Sequence, residues 1–129
     1  MTYTTEQLVA LDSSELLALL RELEEKASLV GCSWAEANKA YRDIQLMLPS
    51  VLAQLICEYI EEGHTPTVAK QYALSSEVYV EQVQLSIDRE RDAELLKVEF
   101  RSLSESMKCL SAIAYVRNQE LKSLGNYGK

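Results

Sequence analysis

The chain has 129 residues, of which 47% are hydrophobic and 26% charged, and its formal net charge at pH 7 is −7. This composition excludes a disordered or fibrous protein, and it is enough for one folded domain with its own core. The acidic balance argues against a general nucleic-acid-binding protein, which normally presents a basic face.

Good helix formers dominate the sequence, whereas only 4 glycines and 2 prolines are present. We therefore predict an all-α fold, with residues 1–129 forming a single helical domain. Three cysteines far apart in the chain, Cys32, Cys57 and Cys109, indicate neither a disulfide framework nor a zinc knuckle. The sequence contains no apolar run of about 20 residues and no signal-peptide pattern, so we expect a cytoplasmic protein without a membrane partner.

The first predicted element is one long helix over about 14–62, capped by Ser13 or Ser14. Its apolar residues form a heptad seam in which steps of four and three alternate: Leu16, Leu20, Leu23, Ala27, Val30, Trp34, Ala37, Tyr41, Ile44, Leu48, Val51 and Leu55. Because the seam keeps its phase through Gly31, we expect the helix to continue there. We expect a kink at Pro49, which lacks a backbone donor.

Residues 63–75 are predicted to form a turn and a short helix, with Gly63 as the stop signal and Thr65-Pro66 or Thr67 as the new start. A second long helix over about 76–124 follows, and Gly125 is expected to end it. Its seam comprises Leu96, Phe100, Leu103, Met107, Leu110, Ala114, Leu121 and Leu124, with Arg117 at one core-type position. Upstream, the polar run 88–94 separates this seam from an apolar patch of Val80, Val83 and Ile87.

Two helices of similar length joined by a short connector are predicted to run antiparallel, as a coiled-coil hairpin. The expected register places Arg117 beside residues 21–25. Some apolar residues fall outside the two seams, and we expect them to be covered by a second copy or a partner, which makes a homo-oligomer the expected state. These residues are Leu17, Leu19, Leu52, Ile56, Val98 and Ile113.

The segment from Cys57 to His64 contains residue types that bind metals. Cys57 and Glu61 are one helical turn apart, and His64 follows the predicted helix end. A structural zinc site requires four ligands and the sequence offers no fourth, so we expect no metal or other cofactor here and interpret the segment as the turn of the hairpin.

Aromatic residues gather near the same turn: Tyr59, His64, Tyr72 and Tyr79, together with the cation Lys70. Aromatic rings beside a cation suit a protein–protein hot spot or stacking on nucleic-acid bases. The other interpretation is that these tyrosines only cover the core at the end of the hairpin.

Charge is distributed unevenly along the chain. Residues 1–62 carry 4 basic and 11 acidic side chains, whereas residues 97–129 carry 6 basic and 3 acidic ones. The basic side chains of the second helix are candidates for contacts with DNA phosphates, and pairing with Glu22, Glu24 and Glu25 of the first helix is the alternative. The candidate cations are Lys97, Arg101, Lys108 and Lys122.

The sequence contains no glycine-rich phosphate loop, no nucleophile elbow and no second histidine. We therefore predict that the protein is not an enzyme.

The order of these elements resembles a group of known proteins. A helix bearing "AEANKAYRD", a Gly-His-Thr-Pro-Thr turn, the short "TVAKQYA" and a long helix through "RDAELLKVEFRSLSESMKCLSAIAYVRNQEL" resemble small helical proteins of phage DNA metabolism. More distantly, residues 30–124 are similar to the UvsY-type recombination mediators. This resemblance implies an oligomeric accessory protein in the bacterial host cytoplasm. Implied partners are a recombinase, an annealing protein or a single-stranded-DNA-binding protein, with weak contacts to single-stranded DNA through Lys70, Lys97, Arg101 and Lys108.

Two other functions fit the same features. An acidic helical protein suits an inhibitor or DNA mimic that binds a basic nucleic-acid enzyme. Its working residues would be Glu15, Glu22, Glu24, Glu25, Glu36 and Asp43. The third possibility is a structural coiled-coil adaptor, in which only the off-seam apolar residues take part in binding.

Overall fold

The computed structural model describes residues 4–127, which are all-helical apart from short connections, so the predicted all-α class is confirmed. The helices are α1 (Thr5–Ala10), α2 (Ser13–Glu61), α3 (Pro66–Ser75) and α4 (Glu77–Tyr127). The predicted long helices correspond to α2 and α4, and the predicted short helix corresponds to α3.

Helix α1 was not predicted from the sequence, although a local signal for it exists. Thr4 and Gln7 form a capping box, in which the Thr4 hydroxyl accepts from the Gln7 backbone N–H and the Gln7 side chain accepts from the Thr4 backbone N–H. Leu8 of α1 is buried in a cluster with Leu16, Leu19 and Leu110. Leu19, which we expected a partner to cover, is therefore buried within the chain.

Helix α2 begins at Ser13, but its cap is neither Ser13 nor Ser14. The Asp12 side chain accepts a hydrogen bond of 2.8 Å from the Glu15 backbone N–H, which corrects the prediction. The helix continues through both Gly31 and Pro49. Every residue of the predicted α2 seam is buried or half-buried, so the heptad phase identifies the packed face of this helix.

The first part of α4 packs differently from the prediction. Val80 and Ile87 are about half exposed, whereas Ser86 and Ala93 are buried. These two buried residues keep the phase of the downstream seam: Ala93 lies one step before Leu96, and Ser86 lies one heptad before Ala93. Val83, the remaining residue of the predicted patch, is half-buried, and Ala93 faces inward as expected, so the patch is divided between the packed and the exposed face of this part of α4.

The end of α4 also differs from the prediction. The helix does not stop at Gly125 but extends to Tyr127, and Gly128 and Lys129 of the predicted tail lie outside the described residues.

The chain divides into two compact units. The leucine unit comprises the described residues up to Cys32 together with those from Val98 onwards, and the alanine unit comprises Ser33–Lys97. Large apolar side chains are buried in the first, including Leu16 and Leu110, whereas the buried residues of the second are Ala69, Ala73, Ser86 and Ala93. That the two units form one domain stays a prediction.

Within the leucine unit, α2 and α4 run antiparallel. Leu16 and Leu110 belong to one buried cluster. Further along α2 and further back along α4, Gly31 lies against Phe100: a Cβ atom at position 31 would be 3.2 Å from Cε2 of the ring. The missing Cβ thus leaves space for an aromatic side chain at a close approach of two helices.

Candidate interaction surfaces

The α2–α3 turn begins at a helix end defined by a glycine. Gly63 has a φ of 103°, a left-handed conformation that side chains other than glycine adopt at a cost. The Gly63 N–H donates to the Ile60 carbonyl at 3.0 Å, and the His64 N–H donates to the Tyr59 carbonyl at 3.1 Å. These two bonds form a Schellman motif, so the turn predicted from Gly63 is present with a specific geometry.

The turn brings three rings together. The centroid of the His64 ring lies 6.0 Å from that of Tyr59 and 4.9 Å from that of Tyr72, and the Tyr59 and Tyr72 centroids are 5.7 Å apart. The His64 ring meets both tyrosines edge to face, the favourable geometry for aromatic pairs. Tyr79, the fourth predicted member, is half-buried in α4 and makes no ring contact with this cluster in the described part of the chain.

Thr65 and Pro66 start the next helix from this turn. The Thr65 hydroxyl accepts from the Val68 N–H at 3.4 Å, and Pro66 occupies the first turn. Lys70 is exposed on α3. It lies two residues before Tyr72, a spacing at which two side chains of a helix point to different sides, so both residues are on α3 without facing each other.

The metal-ligating residue types near the turn do not converge. Within residues 4–127, no three His, Cys, Asp or Glu side chains are grouped as metal ligands would be. His64 lies instead beside Glu62, with 4.0 Å between Nε2 and the carboxylate oxygen.

The acidic side chains of α2 face solvent. The predicted acidic residues Glu15, Glu22, Glu24, Glu25, Glu36 and Asp43 are all exposed. Among the described residues, Arg101, Lys108 and Lys122 of α4 form no salt bridge within 4.0 Å with Glu22, Glu24 or Glu25. The predicted pairing is therefore not present for these three cations.

The predicted DNA-binding cations of α4 occupy different surroundings. Lys97 is half-buried and lines a cleft of about 250 Å³ in the alanine unit, to which Glu90 and Glu94 also contribute. Arg101, Lys108 and Lys122 are exposed. Arg42 also lines this cleft, so two cations balance two carboxylates and the cleft offers a phosphate no net positive charge; the exposed cations are better placed for one.

The pairing of α2 with α4 corrects the predicted register. The Arg117 guanidinium donates a hydrogen bond to the backbone carbonyl of Leu11, just before α2 begins. The sequence-based register had placed Arg117 beside residues 21–25. The observed register places Arg117 beside the residue just before α2, so that the last part of α4 faces the start of α2 across a groove.

This offset exposes apolar residues at the end of α4. Leu121 and Leu124, both predicted seam residues, are 62% and 69% exposed, and Leu17 of α2 is 51% exposed. Leu17 and Leu121 line a groove of about 530 Å³ in the leucine unit, whereas Leu124 lies on a neighbouring surface with Tyr115 and Val116. The groove is lined by Ser13, Leu16, Leu17, Leu20, Leu110, Ala114, Arg117, Asn118 and Leu121. Sequence reasoning missed this groove, because the heptad pattern does not show where the facing helix begins.

Comparison of the chain with models of protein families, with curated proteins and with solved structures found no match. Among the helices that the structure describes, none combines the length and the apolarity needed to cross a membrane.

Proposed function

We propose that this chain is a non-enzymatic accessory protein, an oligomeric antiparallel two-helix hairpin that acts through protein–protein contacts in phage-type DNA recombination or replication. In this proposal it works in the bacterial host cytoplasm and contacts single-stranded DNA only weakly.

The surface area of the chain carries the proposal. The chain exposes 9584 Å², whereas a folded monomer of 14.6 kDa exposes about 6,900 Å². This excess of about 2,700 Å² per chain amounts to about 5,400 Å² over the two chains of a dimer, at the upper end of the total area of about 2,000–5,000 Å² or more that obligate interfaces bury. Oligomerisation would bring the exposed surface per chain closer to that of an ordinary globular protein.

The character of this surface supports the same proposal. Large apolar side chains are exposed on both long helices, for example Leu29 (71%) and Leu46 (77%) on α2 and Leu95 (64%) on α4. Single exposed leucines are common on monomers, but rows of them along a helix favour a partner of helical, apolar character.

The DNA-metabolism context comes from the resemblance to UvsY-type mediators, which implies a recombinase, an annealing protein or a single-stranded-DNA-binding protein as partner. The ring cluster of Tyr59, His64 and Tyr72, with Lys70 nearby on α3, fits a site for a protein anchor or a base. The net charge of −7 limits direct DNA binding to a weak contribution.

Two measurements on the purified protein test this proposal. Sedimentation velocity should show an oligomer at micromolar concentration. Fluorescence anisotropy with labelled single-stranded DNA should show weak binding that is lost as salt rises from low to physiological concentration. Replacing Arg101 and Lys108 with Glu should abolish that binding without changing the oligomer, while Glu24→Lys with Glu25→Lys serves as the charge-reversal control. A monomer without DNA binding at low salt would refute the proposal.

A second function is favoured by the exposed carboxylates of α2. An acidic helical surface of this kind suits an inhibitor that occupies the nucleic-acid site of a basic enzyme. In this case Glu22, Glu24 and Glu25 are the sensitive residues. Charge reversal there should abolish binding to the target enzyme, whereas reversal of Arg101 and Lys108 should not.

A further inference from the structure

We infer that the groove at the start of α2 is an interface for a second copy of this chain, which inserts the end of its own α4, including Leu121 and Leu124. This inference rests on the proposed oligomer and names the surface that forms it. The two chains would exchange these helix ends reciprocally.

The first argument is that the end of α4 is not covered within the leucine unit. Arg117 reaches the backbone of Leu11, and the α4 residues Asn118 and Leu121 that follow it line a groove with Ser13 and Leu17 of α2 and are exposed. α4 continues to Tyr127, and its seam continues through Leu121 and Leu124, which are mostly exposed. A heptad seam needs a facing helix to bury its leucines, and within residues 4–127 no helix covers Leu121 and Leu124.

The second argument is the fit between the helix end and the groove. The groove is lined mainly by leucines and contains Ala114 at its α4 side. An alanine permits close approach of a second helix. If two α4 ends cross antiparallel with Asn118 near the centre, Leu121 of each copy lies opposite Ala114 of the other, so that a large side chain meets a small one.

The third argument is charge. Lys122 is exposed and Glu15 is exposed in the first turn of α2. Between described residues the structure shows no ion pair for either side chain. The same antiparallel crossing brings Lys122 of the second copy to the start of α2, where Glu15 lies. A pairing between chains would therefore join opposite charges that remain separate within one chain.

This interface predicts a closed dimer. Each copy carries both the exposed helix end and the groove, so one two-fold axis satisfies both copies and leaves neither feature open. A helix from an unrelated protein would fill one groove at a time; it would cover Leu121, which lines the groove, but not Leu124, which does not.

The decisive experiment is sedimentation equilibrium of the full chain and two matched variants. Leu121 and Leu95 have nearly the same exposure, 62% and 64%, so neither Leu121→Glu nor Leu95→Glu should unfold the chain, as far-UV circular dichroism will verify. Leu121→Glu should raise the dissociation constant about tenfold or more, because it places a charge in the buried centre of the interface. Leu95→Glu should change it less than about threefold.

A charge exchange adds a readout that depends on this geometry. Glu15→Lys and Lys122→Glu should each weaken association by about two- to fivefold, and the double variant should restore it, since an exposed ion pair contributes this much. Failure of the double variant to restore association would overturn the proposed crossing.

The remaining outcomes separate this inference from the proposed function. An oligomer that is lost with Leu95→Glu and kept with Leu121→Glu would overturn the inference and leave the proposed function standing. A wild-type chain that stays monomeric would refute both. Co-sedimentation of such a monomer with phosphatidylglycerol vesicles, abolished by Leu121→Glu, would assign the exposed helix end to a lipid surface instead of a second copy.

Discussion

The leucine unit and the alanine unit are built from the same two long helices, yet they bury different side chains. In the leucine unit the buried cluster is Leu8, Leu16, Leu19 and Leu110. In the alanine unit the buried hydrophobic residues are alanines, of which Ala69 and Ala73 of α3 have no exposed surface. The difference shows that the same pair of long helices is covered by large side chains in one unit and by small side chains of α3 and α4 in the other.

The two forms of packing differ in what stabilises them. Burying a leucine side chain contributes about 1.5–3 kcal/mol, and an alanine methyl much less. The alanine unit instead relies on the hydrogen bonds of its turn, the Thr65 cap and the ring contacts around His64. We therefore expect the leucine unit to be sensitive to truncation and the alanine unit to be sensitive to enlargement.

Leu110→Ala is the strongest test of the leucine unit. Leu110 is only 2% exposed, and truncating it should lower the free energy of unfolding by about 2–5 kcal/mol through lost burial and the cavity left behind. Urea denaturation followed by circular dichroism measures this change. Leu95→Ala removes the same atoms from an exposed position and should cost less than about 0.5 kcal/mol. Equal losses in the two variants would contradict the buried leucine cluster.

Ala73→Leu tests the alanine unit in the opposite direction. Ala73 is fully buried on α3, so three additional carbon atoms should lower the free energy of unfolding by about 1–3 kcal/mol. Gln71→Leu places the same side chain at an exposed position of α3, where the change should stay within about 0.5 kcal/mol. If Ala73→Leu stabilised the protein, the alanine unit would contain unfilled space instead of closely packed helices.

The smallest expected change in stability concerns Gly31 of α2, which lies against the Phe100 ring of α4. Helix propensity alone predicts that Gly31→Ala stabilises the protein by about 1 kcal/mol. The new Cβ would lie 3.2 Å from the Phe100 ring, so the ring must move and we expect a change within about 0.5 kcal/mol. In a Phe100→Leu background the full stabilisation should appear.

A double-mutant cycle on these two positions, measured by urea denaturation, should therefore give a coupling of about 0.5–1 kcal/mol. Additive effects would mean that the ring moves aside freely and that Gly31 is not required for this packing.

Much of the fold could be predicted from local sequence. The α2 seam, the helix start at Thr65 and the turn at Gly63 depend on side-chain periodicity, a capping oxygen and a left-handed φ. The ring cluster was predicted in part, since Tyr59 and Tyr72 flank the turn that brings them together. Leu8 and its capping box were missed because α1 has only six residues and too few apolar positions to show a period.

By itself, the sequence determined that the chain is helical, which face of α2 packs and where the chain turns, because propensity, heptad phase and backbone conformation act within a few residues. Only the tertiary structure decided the pairing of α2 with α4. A heptad seam looks the same after a shift of one repeat, so it specifies a face but not which residue lies opposite. The contact between Arg117 and Leu11, the burial of Leu19 under α1 and the exposure of Leu121 all follow from that choice, which depends on packing between residues distant in the chain.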